Sequence, residues 1–189
     1  MGFKLKKGLS IVELIAALGI LGFMAILVAT VFLTHYKIFS NQNSSIDAAT
    51  QNKIALEEIV NEIRESQGVA VTCCSPTETT TATVLVLQLW PLNSSAEPFD
   101  NGANYDYIIY KRDTTDNTKF IKKIVPTAGS TRQALTKTIA TNINALDFTY
   151  DAAAPATTVV TISIDTQARS MFGKTFTVSN NEKALLRNK

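Results

Sequence analysis

The pattern of apolar and polar positions divides this chain into three stretches with different periods. The first is an almost unbroken apolar run. From Leu14 to Leu33 no residue carries a formal charge. About 20 such residues suffice to cross a bilayer core as a helix at ~1.5 Å per residue. The second stretch begins after a polar segment, Thr34 to Ser45, in which His35, Tyr36 and Lys37 fall at the expected membrane interface, Tyr36 suits headgroup depth, and Asn41 to Ser45, weak helix formers, suit a joint. Helical periodicity returns at Ile46, with Ala49, Leu56, Ile59, Val60 and Ile63 on one face and Glu57, Glu58, Asn61, Glu62, Arg64 and Glu65 on the others. Gly68 is a reasonable stop. The pattern predicts one long helix from about Ser10 to Gln67, its first half in an apolar medium and its amphipathic second half on a sheet.

From Val69 the period shortens to two, the signature of strands. Thr83 to Trp90 is the strongest candidate, stopped by Pro91. Tyr105 to Lys111, Lys119 to Val125, Leu146 to Tyr150 and Val159 to Ile164 follow. Asp113 to Thr118 reads as a hairpin loop, and Thr131 to Asn142 as a loop with room for a turn of helix. The predicted fold class is α+β: a long N-terminal helix packed on an antiparallel β-sheet. A soluble part of residues 36–189 is long enough to bury one core.

The start of the apolar run carries the most informative residues. Lys4, Lys6 and Lys7 precede Gly8, and Leu9-Ser10-Ile11-Val12-Glu13-Leu14 opens the helix. The lysines favour a cytoplasmic N-terminus, with the remainder sent outward. Glu13 is unusual there, because a carboxylate in a spanning segment costs on the order of 2.5–3.5 kcal/mol at the centre and less near an end. Placement at headgroup depth is the plain alternative to a functional role. Residues 1–8 do not read as an ordinary secretory signal, since Glu13 interrupts the apolar run and no A-x-A site closes it. An uncleaved single-pass anchor is the rival reading. Gly19 and Gly22, with Ala16, Ala17 and Ala25, would let another helix approach closely.

This arrangement resembles the type IV pilin-like family, which includes pilins and the pseudopilins of type II secretion and competence systems. The resemblance rests on Lys6-Lys7-Gly8, then Leu9-Ser10-Ile11-Val12-Glu13-Leu14-Ile15, and covers about the first 35 residues. Many members have Phe where this chain has Leu9. The resemblance implies that residues 1–8 form a leader, that prepilin peptidase cuts between Gly8 and Leu9, and that the same enzyme N-methylates Leu9. Residues 9–35 would then be a transmembrane or filament-core helix. It further implies that Glu13 pairs with the Leu9 amine of a neighbouring subunit, and that the partners are other pilin or pseudopilin subunits and an inner-membrane assembly platform. The later segments Tyr107 to Arg112, Ile143 to Tyr150 and Leu185 to Asn188 look like those of larger minor pilins and pseudopilins near a filament tip.

Composition narrows the remaining chemistry. The net charge of +2, with both signs interspersed, gives no reason to expect a nucleic-acid partner. Lys119, Lys122 and Lys123 are the one dense basic group, and alternation puts Lys122 opposite the other two, as on a solvated edge. Cys73 and Cys74 are adjacent and exclude a long-range staple. A bridge between them would hold its Cα atoms at ~3.8 Å, below the usual ~4.4–6.8 Å, so a turn with free or partly oxidised thiols is the expectation. Asp100, Asn101, Asn104 and Asp106 offer oxygens close together for Ca²⁺, but Asn101-Gly102 is a common turn and the spacing is not that of an EF-hand. No cofactor is expected. The single His35 and the absence of G-x-S-x-G, H-E-x-x-H or P-loop spacing argue against an enzyme. The sequence thus supports a filament subunit first and a tip module binding an adhesion target, secreted cargo or DNA second.

Overall fold

The computed structural model describes residues 10–187 apart from 101 and 103. Its spine is one helix, α1, Ile11–Glu65, of 55 residues and therefore about 80 Å long. Ten strands follow: β1 (Gly68–Val69), β2 (Thr72–Cys73), β3 (Glu78–Thr79), β4 (Val84–Leu89), β5 (Asp106–Arg112), β6 (Phe120–Val125), β7 (Leu135–Ala140), β8 (Ile143–Tyr150), β9 (Val159–Arg169) and β10 (Thr175–Leu185). They pair antiparallel into a five-stranded sheet, β1-β4-β5-β6-β7, a three-stranded sheet, β10-β9-β8, and the small hairpin β2-β3. The expected α+β layout is present, with the loop 113–118 joining β5 to β6.

The core lies between the second half of α1 and the inner faces of both sheets. Leu56, Ile59, Val60 and Ile63 meet Leu85, Leu87, Ile108, Tyr110 and Phe120 from one sheet, and Leu146, Phe148, Val160, Ile162 and Ile164 from the other. The buried stripe on the helix starts further round than Ile46 and Ala49, which are exposed; it runs Ala48, Asn52, Ala55, Leu56, Ile59, Val60 and Ile63. The cause is backbone approach. Thr166 Oγ1 donates to the Ala48 carbonyl (2.7 Å), and Asn52 Nδ2 donates to the carbonyls of Ile164 (2.7 Å) and Val178 (3.1 Å). A small residue and an amide suit that place better than a bulky apolar one.

Five strands depart from expectation: the two-residue β1, β2 and β3, and the longer β7 and β10. Residues 131–142 contain β7, an edge strand whose Thr136, Lys137 and Thr138 are exposed. β-branched residues favour the extended form, and an edge lysine discourages further pairing. β10 is largely polar over Ser179–Lys183, so it lacks an alternating signal, yet it pairs with β9 along its whole length. Asn180 Nδ2 donates to Asn52 Oδ1 (2.8 Å), joining it to the helix.

Lys122 is the largest electrostatic departure. It is buried, pointing at the helix, where its ammonium donates to Glu58 (3.2 Å) and Glu62 and lies 5.9 Å from the Tyr110 ring centre. It is not on a solvated edge. The alternation placing it opposite Lys119 was sound, but the face it occupies is the one covered by α1. The Tyr110 hydroxyl beneath it is buried without a hydrogen-bond partner among the described residues.

The cysteines also differ from expectation: Cys73 and Cys74 form a disulfide. Cys73 packs with Ala70, Val86 and Ile109 in a second apolar cluster on the outer face of the five-stranded sheet. The β2-β3 hairpin therefore covers a face that would otherwise be wet.

These contacts predict two opposite outcomes in the detergent-solubilised full chain. Lys122→Ala leaves two carboxylates facing each other in a mostly dry place and should destabilise by about 3 kcal/mol, measured by urea unfolding. Lys122→Met with Glu58→Gln and Glu62→Gln should recover most of that loss. Tyr110→Phe removes an unpaired buried hydroxyl and should leave stability unchanged or raise it by about 1 kcal/mol at neutral pH. Burial, then Glu62 and Glu58, push the Tyr110 hydroxyl far above the usual phenol range. The folded state thus retains a proton that the unfolded chain loses above about pH 10, so the associated stability is full below that pH and falls above it. The Phe variant should lose less stability than the parent between neutral pH and pH ~11.

Candidate functional site: the exposed start of the helix

The residues singled out by sequence lie at the free end of α1. Gly8 and Leu9 are outside the described residues, so the peptide bond between them has no structural description. The first described residue, Ser10, is the N-cap, extended at φ −72 and ψ 151. Its N–H and hydroxyl both donate to Glu13 Oε2 (2.9 and 3.1 Å), and the Glu13 N–H donates back to Ser10 Oγ (3.3 Å). This is a capping box, which satisfies two of the helix's orphan amides reciprocally. Glu13 Oε1 accepts no hydrogen bond among the described residues. The Ser-x-x-Glu spacing was a legible signal for the cap, and the sequence reading missed it.

Beyond the cap the helix is bare. Every residue from Ile11 to Phe39 is exposed. The most apolar 18-residue window of this helix has a mean hydropathy of 2.6, and by length and composition it can cross a membrane. The two threonine hydroxyls of this bare stretch are satisfied internally: Thr30 Oγ1 donates to the Leu27 carbonyl and Thr34 Oγ1 to the Thr30 carbonyl, both at 2.8 Å. Such bonds suit a medium that supplies no partners. A Cβ built on Gly19 or Gly22 would meet nothing within 4 Å. The chain's own packing therefore does not require either glycine, and both leave room for a second helix.

Other candidates resolve into structural roles. Asp106 is fully buried and accepts from Thr127 N–H (2.8 Å), Ser130 Oγ (2.8 Å) and Arg132 Nε (2.9 Å). It organises the loop leading to β7, and its carboxylate is taken up by these three donors. Asp100 accepts the Gly102 N–H (2.8 Å), and Gly102 has φ +72, as a turn requires. Asn101 lies outside the described residues. Lys119 pairs with Asp116 at 3.1 Å, so the three lysines form no common patch. Among the described residues no group of three or more His, Cys, Asp or Glu is arranged to hold a metal.

At the opposite end of α1, Arg64, Arg132 and Arg187 line a groove of about 710 Å³ with Trp90 and Pro98. Arg132 is held by Asp106 and by the Trp90 carbonyl (3.3 Å). This group was not legible beforehand, because Arg64, Arg132 and Arg187 are far apart along the chain. They can attract an anion, and the Glu65 carboxylate lines the same groove.

No family model matches the chain, and neither a curated protein nor a solved structure matches it.

The capping box predicts a local stability. Ser10→Ala in micelles should destabilise the first turn by about 1 kcal/mol, seen as roughly fivefold faster amide exchange at Glu13, with exchange at Ile59 unchanged. Equal exchange at Glu13 in both proteins would show that the cap does not hold the turn.

Proposed function

We propose that this chain is a structural subunit of a type IV pilus-like filament, a minor pilin or pseudopilin that is stored in the membrane and assembled from it. The observation that carries this reading is the division of one continuous helix. Its second half is fixed to the sheets, and its first half is apolar and bare. The helix start also bears Glu13 at the spacing from Gly8 and Leu9 that the resemblance requires.

In this reading the lysines keep the N-terminus cytoplasmic, and prepilin peptidase removes residues 1–8 and methylates Leu9. The new α-amine has a reference pKa of about 7.7–8.0 and is mostly cationic at neutral pH. Glu13 meets the Leu9 amine of a neighbouring subunit when both leave the lipid for the filament. The capping box fits this use, because it occupies Oε2 with Ser10 and leaves Oε1 for the neighbour. It also gives the charge two hydrogen-bond donors while the monomer waits in the membrane. Gly19 and Gly22 permit close approach of adjacent helices. The sheets then form the outer surface that meets the assembly platform and other subunits. Polymerisation and partner contact are the work, not turnover.

The test is Glu13→Gln, which keeps size and removes charge. Membrane insertion and cleavage after Gly8 should persist, while incorporation into sheared filaments, or co-purification with other pilins, should fall. The neighbour's amine is then buried without an anion, a loss that can reach about 3–5 kcal/mol. A subunit at the tip has no neighbour above it and should show a small loss with intact processing. Normal incorporation of Gln at a shaft position, established by internal cross-links on both sides, would exclude a role for Glu13.

A further inference from the structure

The hairpin joining β9 to β10 ends in a four-residue turn, Ser170 to Gly173. Gly173 N–H donates to the Ser170 carbonyl (2.9 Å), Ser170 N–H donates to the Lys174 carbonyl (2.8 Å), and Gly173 takes φ +80. Central positions of such turns usually carry Asn, Asp, Gly or Pro. Here they carry Met171 and Phe172, which are 78% and 47% exposed. Two large apolar side chains at an exposed turn have no account in the fold's own packing.

The position of this tip along α1 supplies one. Tyr36 donates its hydroxyl to Met171 Sδ (3.2 Å), and its ring meets Phe172 edge-on at 6.0 Å. Ser40 Oγ accepts the Met171 N–H at 3.2 Å. The tip is therefore fixed at the level of Tyr36 to Ser40. The charge-free run ends at Leu33, three residues before Tyr36, or about 4.5 Å along the axis. That is the depth of lipid headgroups, not of bulk water. Ile38 and Phe39, at the same level of the helix, are also exposed, at 49% and 59%.

The charges at this level have one sign. No Asp or Glu occurs between Leu14 and Ile46 or between Thr166 and Asn181, whereas Lys37, Arg169 and Lys174 lie within those segments. Arg169 and Lys174 flank the turn and are exposed. Apolar side chains ringed by cations match an interface of acyl chains under anionic headgroups.

We infer that the β9–β10 hairpin tip is a second membrane contact, with Met171 and Phe172 inserted at the anionic lipid interface of the bilayer that α1 crosses. It rests on the spanning reading of the first half of α1. Two fixed points, the helix and the tip, define the orientation of the soluble part over the membrane. A continuous helix alone fixes the soluble part to the span but leaves its tilt over the membrane free. Leaving the bilayer for a filament then requires the tip to withdraw as well.

The experiment uses the full chain in phosphatidylcholine–phosphatidylglycerol vesicles containing lipids brominated near the headgroup or deep in the acyl chain. Phe172→Trp is the probe, Met171→Trp the second variant, and Val28→Trp the control for the span. Trp90, near the far end of α1, is subtracted with the parent protein. The tip probes should emit blue-shifted light and lose about half their intensity to shallow bromines, as interfacial tryptophans do. Val28→Trp should be quenched by deep bromines. Tip probes emitting as in water while Val28→Trp is quenched would overturn the inference and leave the span intact. A blue shift without bromine quenching would place the probe against protein, Tyr36 of α1 or a second copy, and would also overturn it. No quenching at either place would remove the spanning reading and the inference together.

Discussion

A single uninterrupted helix has to satisfy two surroundings, and the hold of the sheets on its second half makes this possible. Apolar packing by Leu56, Ile59, Val60 and Ile63 supplies most of that hold. Polar groups then set where along the helix it acts. Asn52 binds carbonyls of β9 and β10, Thr166 binds the Ala48 carbonyl, and Lys122 joins β6 to Glu58 and Glu62. Each of these bonds needs a partner at one height, so the helix cannot slide or rotate without leaving a buried polar group unpaired. A purely apolar seam would tolerate such slips more readily. The consequence is that the first half projects at a defined height and rotation.

That projection links packing to function. The bare half cannot be stable in water, because its exposed apolar surface far exceeds what soluble monomers carry. It must be covered by lipid or by other helices, and the same residues suit both. Internal bonding of Thr30 and Thr34 removes polar demands on the surroundings, and open space at Gly19 and Gly22 admits a neighbour. Glu13 alone resists lipid. The Ser10 cap reduces that resistance while leaving an oxygen available. A carboxylate tolerated but incompletely satisfied in one environment is a physical reason to move to another.

The legible parts of the sequence were those in which one period dominates. The apolar run, β4 with Leu85 and Leu87, and β9 with Val160, Ile162 and Ile164 each follow one rule, and each is where it was expected. The illegible parts depend on partners distant in sequence. β10 has little pattern of its own and exists by pairing with β9 and with Asn52. β7 looked like a loop because its middle, Thr136 to Thr138, is polar and its apolar residues Leu135, Ile139 and Ala140 do not follow one alternation. Lys122 read as solvated because nothing local reveals that Glu58 and Glu62 would cover it. The Cys73–Cys74 bridge went against the usual Cα separation of disulfides, and the hairpin around it closes the outer face of the sheet. The Ser10–Glu13 box was local and readable; attention to the charge of Glu13 obscured its role as a cap.

The central claim is that this helix begins at a processed end and is made to leave the membrane for a filament. The intact mass of the protein, isolated from cells with an active prepilin peptidase, addresses this most directly. The account predicts a chain that begins at Leu9, with residues 1–8 absent and a methyl group on the new amine. A chain still beginning at Met1 in those cells would contradict it, and would leave α1 as the anchor of a membrane protein with another task.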